Sequence, residues 1–279
     1  MKTFFYQLFV ILLSIFSFYY TNQVVQFLKE QDVLMKEIKA TESKYAIEAV
    51  NAKIEENTIR PGKKGKTIDY EKTYYYMKNY GTYNESLTVL KDTVPTISIM
   101  DHYDKYVVGG NTTHKWISFV FVLRKDSHLD SIIHILTKKN VEATFFVDGV
   151  YLEKYASLIQ KMDPYEFELL SYQGEYNEAI FKTSISYLES LTNHSVKYCY
   201  VEEENSKVLD LCMKLKLYTI KPTLILKNDI YQGVRDQIRN SSIISFEVNS
   251  QVERELSIVI DYIQEKGYEI VSLDHLLSE

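Results

Sequence analysis

The sequence predicts an α/β protein of parallel strands and crossover helices, placed behind an N-terminal transmembrane helix and a helical stalk. Three observations lead there. From about residue 116 onward, short apolar runs of strand type alternate with amphipathic runs of helical period. Residues 3–28 carry no charged side chain. Residues 24–58 contain neither Gly nor Pro. Composition agrees with this reading. Hydrophobic residues at 46% and charged residues at 25% are near the folded-protein average, which excludes wholesale disorder and a multi-span membrane protein. A net charge of −6 argues against a nucleic-acid partner, which needs a basic footprint. Two cysteines exclude a disulfide-stapled scaffold and a four-ligand zinc finger.

The N-terminal element, 1–23, is read as a signal anchor. Lys2 precedes an uncharged run of 26 residues, and a bilayer core needs roughly 20 helical residues. Tyr19 and Tyr20 stand where an aromatic belt would lie. Ser17-Phe18-Tyr19 is too bulky for a signal-peptidase site, so an uncleaved anchor is favoured over a cleavable signal peptide. Positive charge at the N-terminus predicts a single pass through the cell membrane with the bulk of the chain extracytoplasmic. There Cys199 and Cys212 could pair, although nothing in the sequence requires it.

Residues 24–58 are read as a helical stalk, with apolar residues at Val24, Leu28, Leu34, Ile38, Tyr45, Ala49 and Ala52. A solvated spacer and a short coiled coil both fit; the broken stripe favours the spacer. Residues 59–112 form a small linker region. Its Gly65-Lys66-Thr67 mimics a phosphate loop, but Arg60 stands where the first Gly belongs and a helix precedes it, so it is a basic turn. A helical patch is expected over 74–77, with short strands near 87–90 and 96–99 and a strand and turn over 106–111.

In the main domain, 113–279, strands are expected at 116–123, 141–147, 167–170, 196–201, 217–220, 242–248 and 268–271. Helices are expected at 130–140, 152–161, 179–191, 206–214, 231–239 and 254–266, the last closed by Gly267. A barrel and an open sheet both fit, and in either the chemistry belongs at the carboxyl ends of the strands.

From about Lys115 to Leu277 the chain resembles the polysaccharide deacetylases with their NodB-type homology domain. The resemblance is carried by Asn140-Val-Glu-Ala-Thr-Phe-Phe-Val-Asp-Gly149, by Ser242-Ile-Ile-Ser245, and by the helix–strand pair from Ile260 through Lys266-Gly-Tyr-Glu-Ile-Val-Ser-Leu-Asp-His-Leu-Leu277. It implies an irregular (β/α) barrel and, in the family, removal of N- or O-acetyl groups from glycans with a divalent metal such as zinc.

The same alignment implies that the catalytic apparatus is missing. The family's first strand ends in T-F-D-D-G, with one Asp as base and the other on the metal; here Val122 and Leu123 hold those places. The metal histidines of H-x-x-x-H fall on Leu170 and Gly174. The motif that positions the catalytic Asp falls near Tyr200, and the late general-acid His falls on Glu247. Aliphatic side chains neither take a proton nor ligate a cation, so no cofactor is expected. The chain therefore reads as a membrane-anchored, extracytoplasmic and catalytically inactive relative that binds cell-wall glycan or a protein partner. The alternative is an active deacetylase of a cell-wall polysaccharide, working on C–N or ester bonds from a relocated site. The candidate ligand rim is Asp126, His128, Asp148, Tyr172, Tyr200, Glu202 and Glu247, with Tyr176 and Phe246 as further sugar-stacking candidates. The plainer reading makes Glu202–Glu204 a solvated acidic loop and His128 a surface residue. No oligomeric state is assigned.

Overall fold

The computed structural model describes residues 2–124, 128–162 and 165–279. The chain opens with α1 (Lys2–Gln31), α2 (Val33–Ala40) and α3 (Glu42–Tyr45). There follow β1 (Lys53–Glu55), β2 (Thr58–Arg60), β3 (Gly65–Ile68), α4 (Tyr70–Tyr80), β4 (Leu90–Thr93) and β5 (Tyr106–Val107). The alternating part comprises β6 (Trp116–Leu123), α5 (Leu129–Lys139), β7 (Thr144–Val147), α6 (Leu152–Ile159), β8 (Glu166–Leu169), α7 (Glu178–Thr192), β9 (Tyr198–Tyr200) and α8 (Ser206–Lys214). It continues through β10 (Tyr218–Ile220), β11 (Leu224–Leu226), α9 (Ile230–Gln237), β12 (Ser242–Glu247), α10 (Ser250–Glu265), β13 (Glu269–Val271) and α11 (Leu273–Leu277). Contacts divide the chain into two units: residues 1–49 with 64–94, and residues 50–63 with 95–279.

In the first unit, α1 contains one stretch, Tyr6–Gln31, long and apolar enough to cross a membrane. Helix continuity breaks at Asp32, whose carboxylate caps α2 by accepting from the Leu34 amide at 2.9 Å. α2 buries Met35 and Ile38, and Ile38 joins Ile68 of β3 and Met77 of α4 in a small core. β3 and β4 form an antiparallel pair from Gly65↔Thr93 to Ile68↔Leu90. Gly65 is required there, because a Cβ would collide with the Ile47 carbonyl.

These elements correct the helical reading of 24–58. The helices end at Tyr45, and β1 and β2 form a hairpin in the second unit, Lys53↔Arg60 to Glu55↔Thr58. Glu56, at φ 49°, makes the turn. The stripe that reads as a spacer is broken because Leu34, Ile38 and Tyr45 serve the small core of the first unit while Ala52 is buried in the core of the second. The strand expected at 87–90 is displaced to β4, sharing only Leu90 with it because Glu85–Leu87 forms a 3₁₀ turn, and that at 96–99 gives way to a 3₁₀ turn over Ile99–Asp101.

The second unit is an irregular barrel built from two arcs. β11-β12-β6-β7-β8 is parallel throughout, with β13 alongside the start of β6. The other arc is β2-β5-β10-β9, also parallel, with β1 appended antiparallel to β2. Side chains alternate along every strand. Val120 and Val122 of β6, Phe146 of β7, Tyr198 and Tyr200 of β9, Ile220 of β10 and Ile243 of β12 fill the shared interior. Phe119, Phe121, Phe145, Phe167 and Phe246 point the other way, into the layer of helices. Phe145 stacks on Phe121 and on Phe167 at 5.1 and 5.2 Å between centroids. Each such fully buried ring contributes about 1.5–3 kcal/mol over leaving it in water.

Side chains bridge the two seams where the ladders stop. Between β8 and β9, the Glu168 carboxylate accepts from the Lys197 and Tyr198 amides at 3.0 and 3.1 Å. Beside β11, Thr223 Oγ1 donates to the Val108 carbonyl and accepts from the Ile243 amide, both at 3.0 Å. A disulfide joins Cys199 of β9 to Cys212 of α8, both buried, with Cα atoms 6.2 Å apart.

Candidate functional site

The carboxyl ends of the parallel strands gather β6, β7, β8, β9 and β12 at one mouth. β6 delivers Val122, 3% exposed, in register with Phe146 on one side and Glu247 on the other. Val122, Phe146, Leu170 and Tyr200 form a hydrocarbon plug in the interior. Leu123, one residue on, faces the helix layer instead. Gly174, the second position implied for a metal ligand, sits in a surface turn at φ 78°.

Polar groups around the plug are held by one another. The Tyr200 hydroxyl hydrogen-bonds Ser245 Oγ at 2.7 Å inside the barrel, and burial drives its acidity well below that of a free phenol. Its ring lies 5.1 Å from that of Phe146. Glu202 pairs with Arg124 at 3.2 Å and with Lys227 at 2.8 Å, and Glu204 pairs with Lys221 at 2.7 Å. Asp148 is a buried structural carboxylate. It accepts from Ser171 Oγ at 2.6 Å, from the Gln173 and Gly174 amides at 2.9 and 3.4 Å, and from the Val150 amide at 3.2 Å. It thereby shapes the loop after β8. Glu247 is half-buried, and its carboxylate makes no hydrogen bond or ion pair among the described residues.

A cavity of about 370 Å³ opens here, lined by Arg124, Tyr176, Tyr200, Glu202 and Asn205 among others. Tyr176 is half-buried, and desolvation raises its phenol pKa. Of the expected rim, Tyr200 and Glu202 thus share one cavity. Asp148 is turned into the loop after β8. Tyr172 is half-buried, packing on Gly149 and pairing through its backbone with Glu175. His128 pairs with Glu253 on α10. Asp126 lies outside the described residues. The sugar-stacking reading of Phe246 is corrected: alternation along β12 turns it into the helix layer, fully buried. Tyr200 is 1% exposed, so its ring is plug rather than platform. Arg124 and Lys227, which neutralise Glu202, escape a sequence reading because each lies far from it along the chain.

The residues present do not fit the divalent metal of the resembling family. Two of the implied ligand positions carry buried leucines, the third is a glycine, and both oxygens of Asp148 are engaged. Among the described residues no three His, Cys, Asp or Glu side chains gather to hold a cation.

Known proteins share this fold. No family model matches the sequence. An uncharacterised Bacillus subtilis protein, YlxY, is 22% identical over 272 residues, covering 89% of this chain and 85% of its own. Among solved structures, the Bacillus anthracis protein BA3943, described as a CE4 family pseudoenzyme, superposes with a TM-score of 0.69 at 22% identity, over 89% of this chain and 96% of its own. A mutant of it is described as having restored enzymatic activity. Bacillus subtilis PdaA, a family 4 carbohydrate esterase, matches at a TM-score of 0.56 and 18% identity, over 64% of this chain and 86% of its own. The fold is therefore that of the family 4 carbohydrate esterases, the polysaccharide deacetylase fold.

Proposed function

We propose that this chain is a membrane-anchored, extracytoplasmic protein of the deacetylase fold that has no hydrolytic activity and binds cell-wall glycan at the barrel mouth. The observation that carries the reading is the hydrocarbon at the mouth: Val122 and Leu170 in the plug, and Leu123 turned into the helix layer, stand where the resemblance puts a base and metal ligands. Without them no water is activated for attack on an acetyl carbonyl. The likeness to the B. anthracis pseudoenzyme supports it, since that match takes in sequence outside the barrel. The apolar α1 and the buried disulfide both suit an exported chain. At the mouth, Tyr176 offers a ring and the Arg124–Glu202 pair offers donors and acceptors, the combination that sugar hydroxyls and C–H faces use.

The test uses the full chain in detergent. After incubation with zinc and desalting, metal content is measured, together with acetate release from acetylated chitooligosaccharide and peptidoglycan. Substoichiometric zinc and no acetate are expected, with retention on insoluble peptidoglycan that weakens in Tyr176→Ala. Stoichiometric zinc with acetate release would establish a relocated active site. Absence of retention would remove the glycan and leave a protein partner.

A further inference from the structure

Packing accounts for Tyr70 and Tyr74 of α4, which lie against the small core, but not for its other three tyrosines. Thr73 and Met77 fill its buried side, while Tyr75, Tyr76 and Tyr80 are 63%, 48% and 63% exposed. Contacts within the first unit fix where α4 lies, with Tyr75 on the groove beside α1 and Tyr76 and Tyr80 further round the helix. Lys29, near the end of α1, pairs with Glu71 and sits 5.0 Å over the Tyr74 ring. Asp32 accepts from the Tyr74 hydroxyl and from Lys78 Nζ, each at 2.7 Å. α4 is thus pinned beside the last turn of α1. A groove of about 500 Å³ between them is lined by Val25, Leu28, Tyr74, Tyr75 and Asn79 and by the ion pairs Lys29–Glu71 and Lys78–Asp32.

Length sets the depth. At about 1.5 Å per residue, the stretch from Tyr6 to Val25 rises about 29 Å, close to the roughly 30 Å of bilayer hydrocarbon. The groove then falls at the level of the lipid headgroups. Phenols favour that layer because the ring is apolar and the hydroxyl wet, and lysines favour it because the stem can lie in hydrocarbon while the ammonium meets phosphate.

We propose that the tyrosine face of α4 seats in the headgroup layer of the bilayer that α1 crosses. The first unit then rides on the membrane surface instead of standing off as a free spacer. The occupant of the groove is the bilayer itself, because the apolar surface of α1 runs directly into Val25 and Leu28 at the groove floor. This inference rests on the reading of α1 as a membrane anchor, and its test separates the two.

The full chain is reconstituted into vesicles of phosphatidylethanolamine and phosphatidylglycerol. An environment-sensitive fluorophore is attached through Asn79→Cys in one sample and Phe16→Cys in another. The native cysteines stay in their disulfide under non-reducing conditions. Lipids bearing a nitroxide at the headgroup or deep in the acyl chain serve as quenchers. The probe at 16 is expected to be quenched by the deep nitroxide, and the probe at 79 roughly threefold more by the headgroup nitroxide than by the deep one. Replacing Tyr75, Tyr76 and Tyr80 together by Ala should abolish quenching at 79 and leave 16 unchanged. Deep quenching at 16 with none at 79, or quenching at 79 that survives the triple replacement, overturns the inference and leaves the anchor standing. No deep quenching at 16 overturns both.

Discussion

Glu168 closes the barrel where no backbone ladder does, and replacing it separates its hydrogen bonds from its charge. Its carboxylate, 4% exposed, accepts from two backbone amides across the β8–β9 seam. Burial pushes its pKa well above the ordinary carboxylate value, more strongly than the two amides pull it down, and Glu166 and Asp274 add to the rise. Glu168→Leu leaves two buried amides without an acceptor, at about 1–3 kcal/mol each, or about 2–6 kcal/mol in all. For a unit of this size that lowers Tm by roughly 5–20 °C. Glu168→Gln keeps an acceptor and removes the ionisation. A carboxyl whose folded pKa is raised binds more protons in the native than in the unfolded state. Its contribution is therefore fully present below the unfolded pKa, near pH 4, and is lost as pH rises toward the folded value. Melts of the full chain at pH 5 and pH 8, followed by near-ultraviolet circular dichroism, should show the Leu variant destabilised at both. The Gln variant should be close to the native protein at pH 5 and gain on it at pH 8. A Gln variant as unstable as the Leu variant would refute the account, as would a Leu variant that melts with the native protein.

Three further outcomes follow from the same contacts. Val122→Asp puts a carboxyl into the hydrocarbon plug; a pKa rise of about three units costs about 4 kcal/mol at pH 7, so Tm should fall by roughly 8–16 °C and zinc should not restore it. Zinc-dependent recovery in the same melt would contradict the reading of the site. The disulfide spans a sequence separation of 13, so Cys199→Ala with Cys212→Ala should cost about 3 kcal/mol in denaturant titration, and alkylation of the unreduced protein should label neither thiol. Asp148→Ala should speed hydrogen exchange at the Gln173 and Gly174 amides on the order of tenfold, the loss of about one hydrogen bond; unchanged exchange would mean the loop after β8 is held by something else.

Much of the barrel was legible because its strands are buried on both faces. Trp116–Leu123 reads as one apolar run for that reason, and the amphipathic runs between strands can only be crossover helices. Alternation along β12 was legible too: with Glu247 at the mouth, Phe246 must face the helices, and period two could have removed it from the sugar-stacking candidates. Other features leave no local signal. β1 and β2 are three residues each, and a single isoleucine per strand fits a helix stripe as well as a hairpin. β11 follows Pro222 and is as short, so it does not stand out from a loop. The seam role of Glu168 depends on amides thirty residues away, and the neutralisation of Glu202 by Arg124 and Lys227 on three separate loops. These are properties of the tertiary arrangement, where long-range charges and open ladders find partners that spacing along the chain does not reveal.

On the proposed reading, a single substitution would not give deacetylase chemistry to the mouth of this barrel. A metal-dependent mouth holds several uncompensated carboxylates and imidazoles that the cation stabilises. In this chain the implied positions are hydrocarbon at Val122, Leu123 and Leu170 and a surface glycine at Gly174, and the neighbouring Asp148 is bound into the fold. Adding one ligand creates a buried charge without its partner, and adding the cation's other ligands requires refilling Leu123, Leu170 and Gly174 as well. Until all are present, each step costs stability and yields no bound metal. What survives intact is the concavity with its paired Arg124 and Glu202, whose mutual neutralisation suits an uncharged, hydroxyl-rich ligand better than a cation. Under the proposed glycan binding, stacking on Tyr176 carries the contact, so Glu247→Gln should weaken retention on insoluble peptidoglycan less than Tyr176→Ala; a larger loss with Glu247→Gln would refute the stacking.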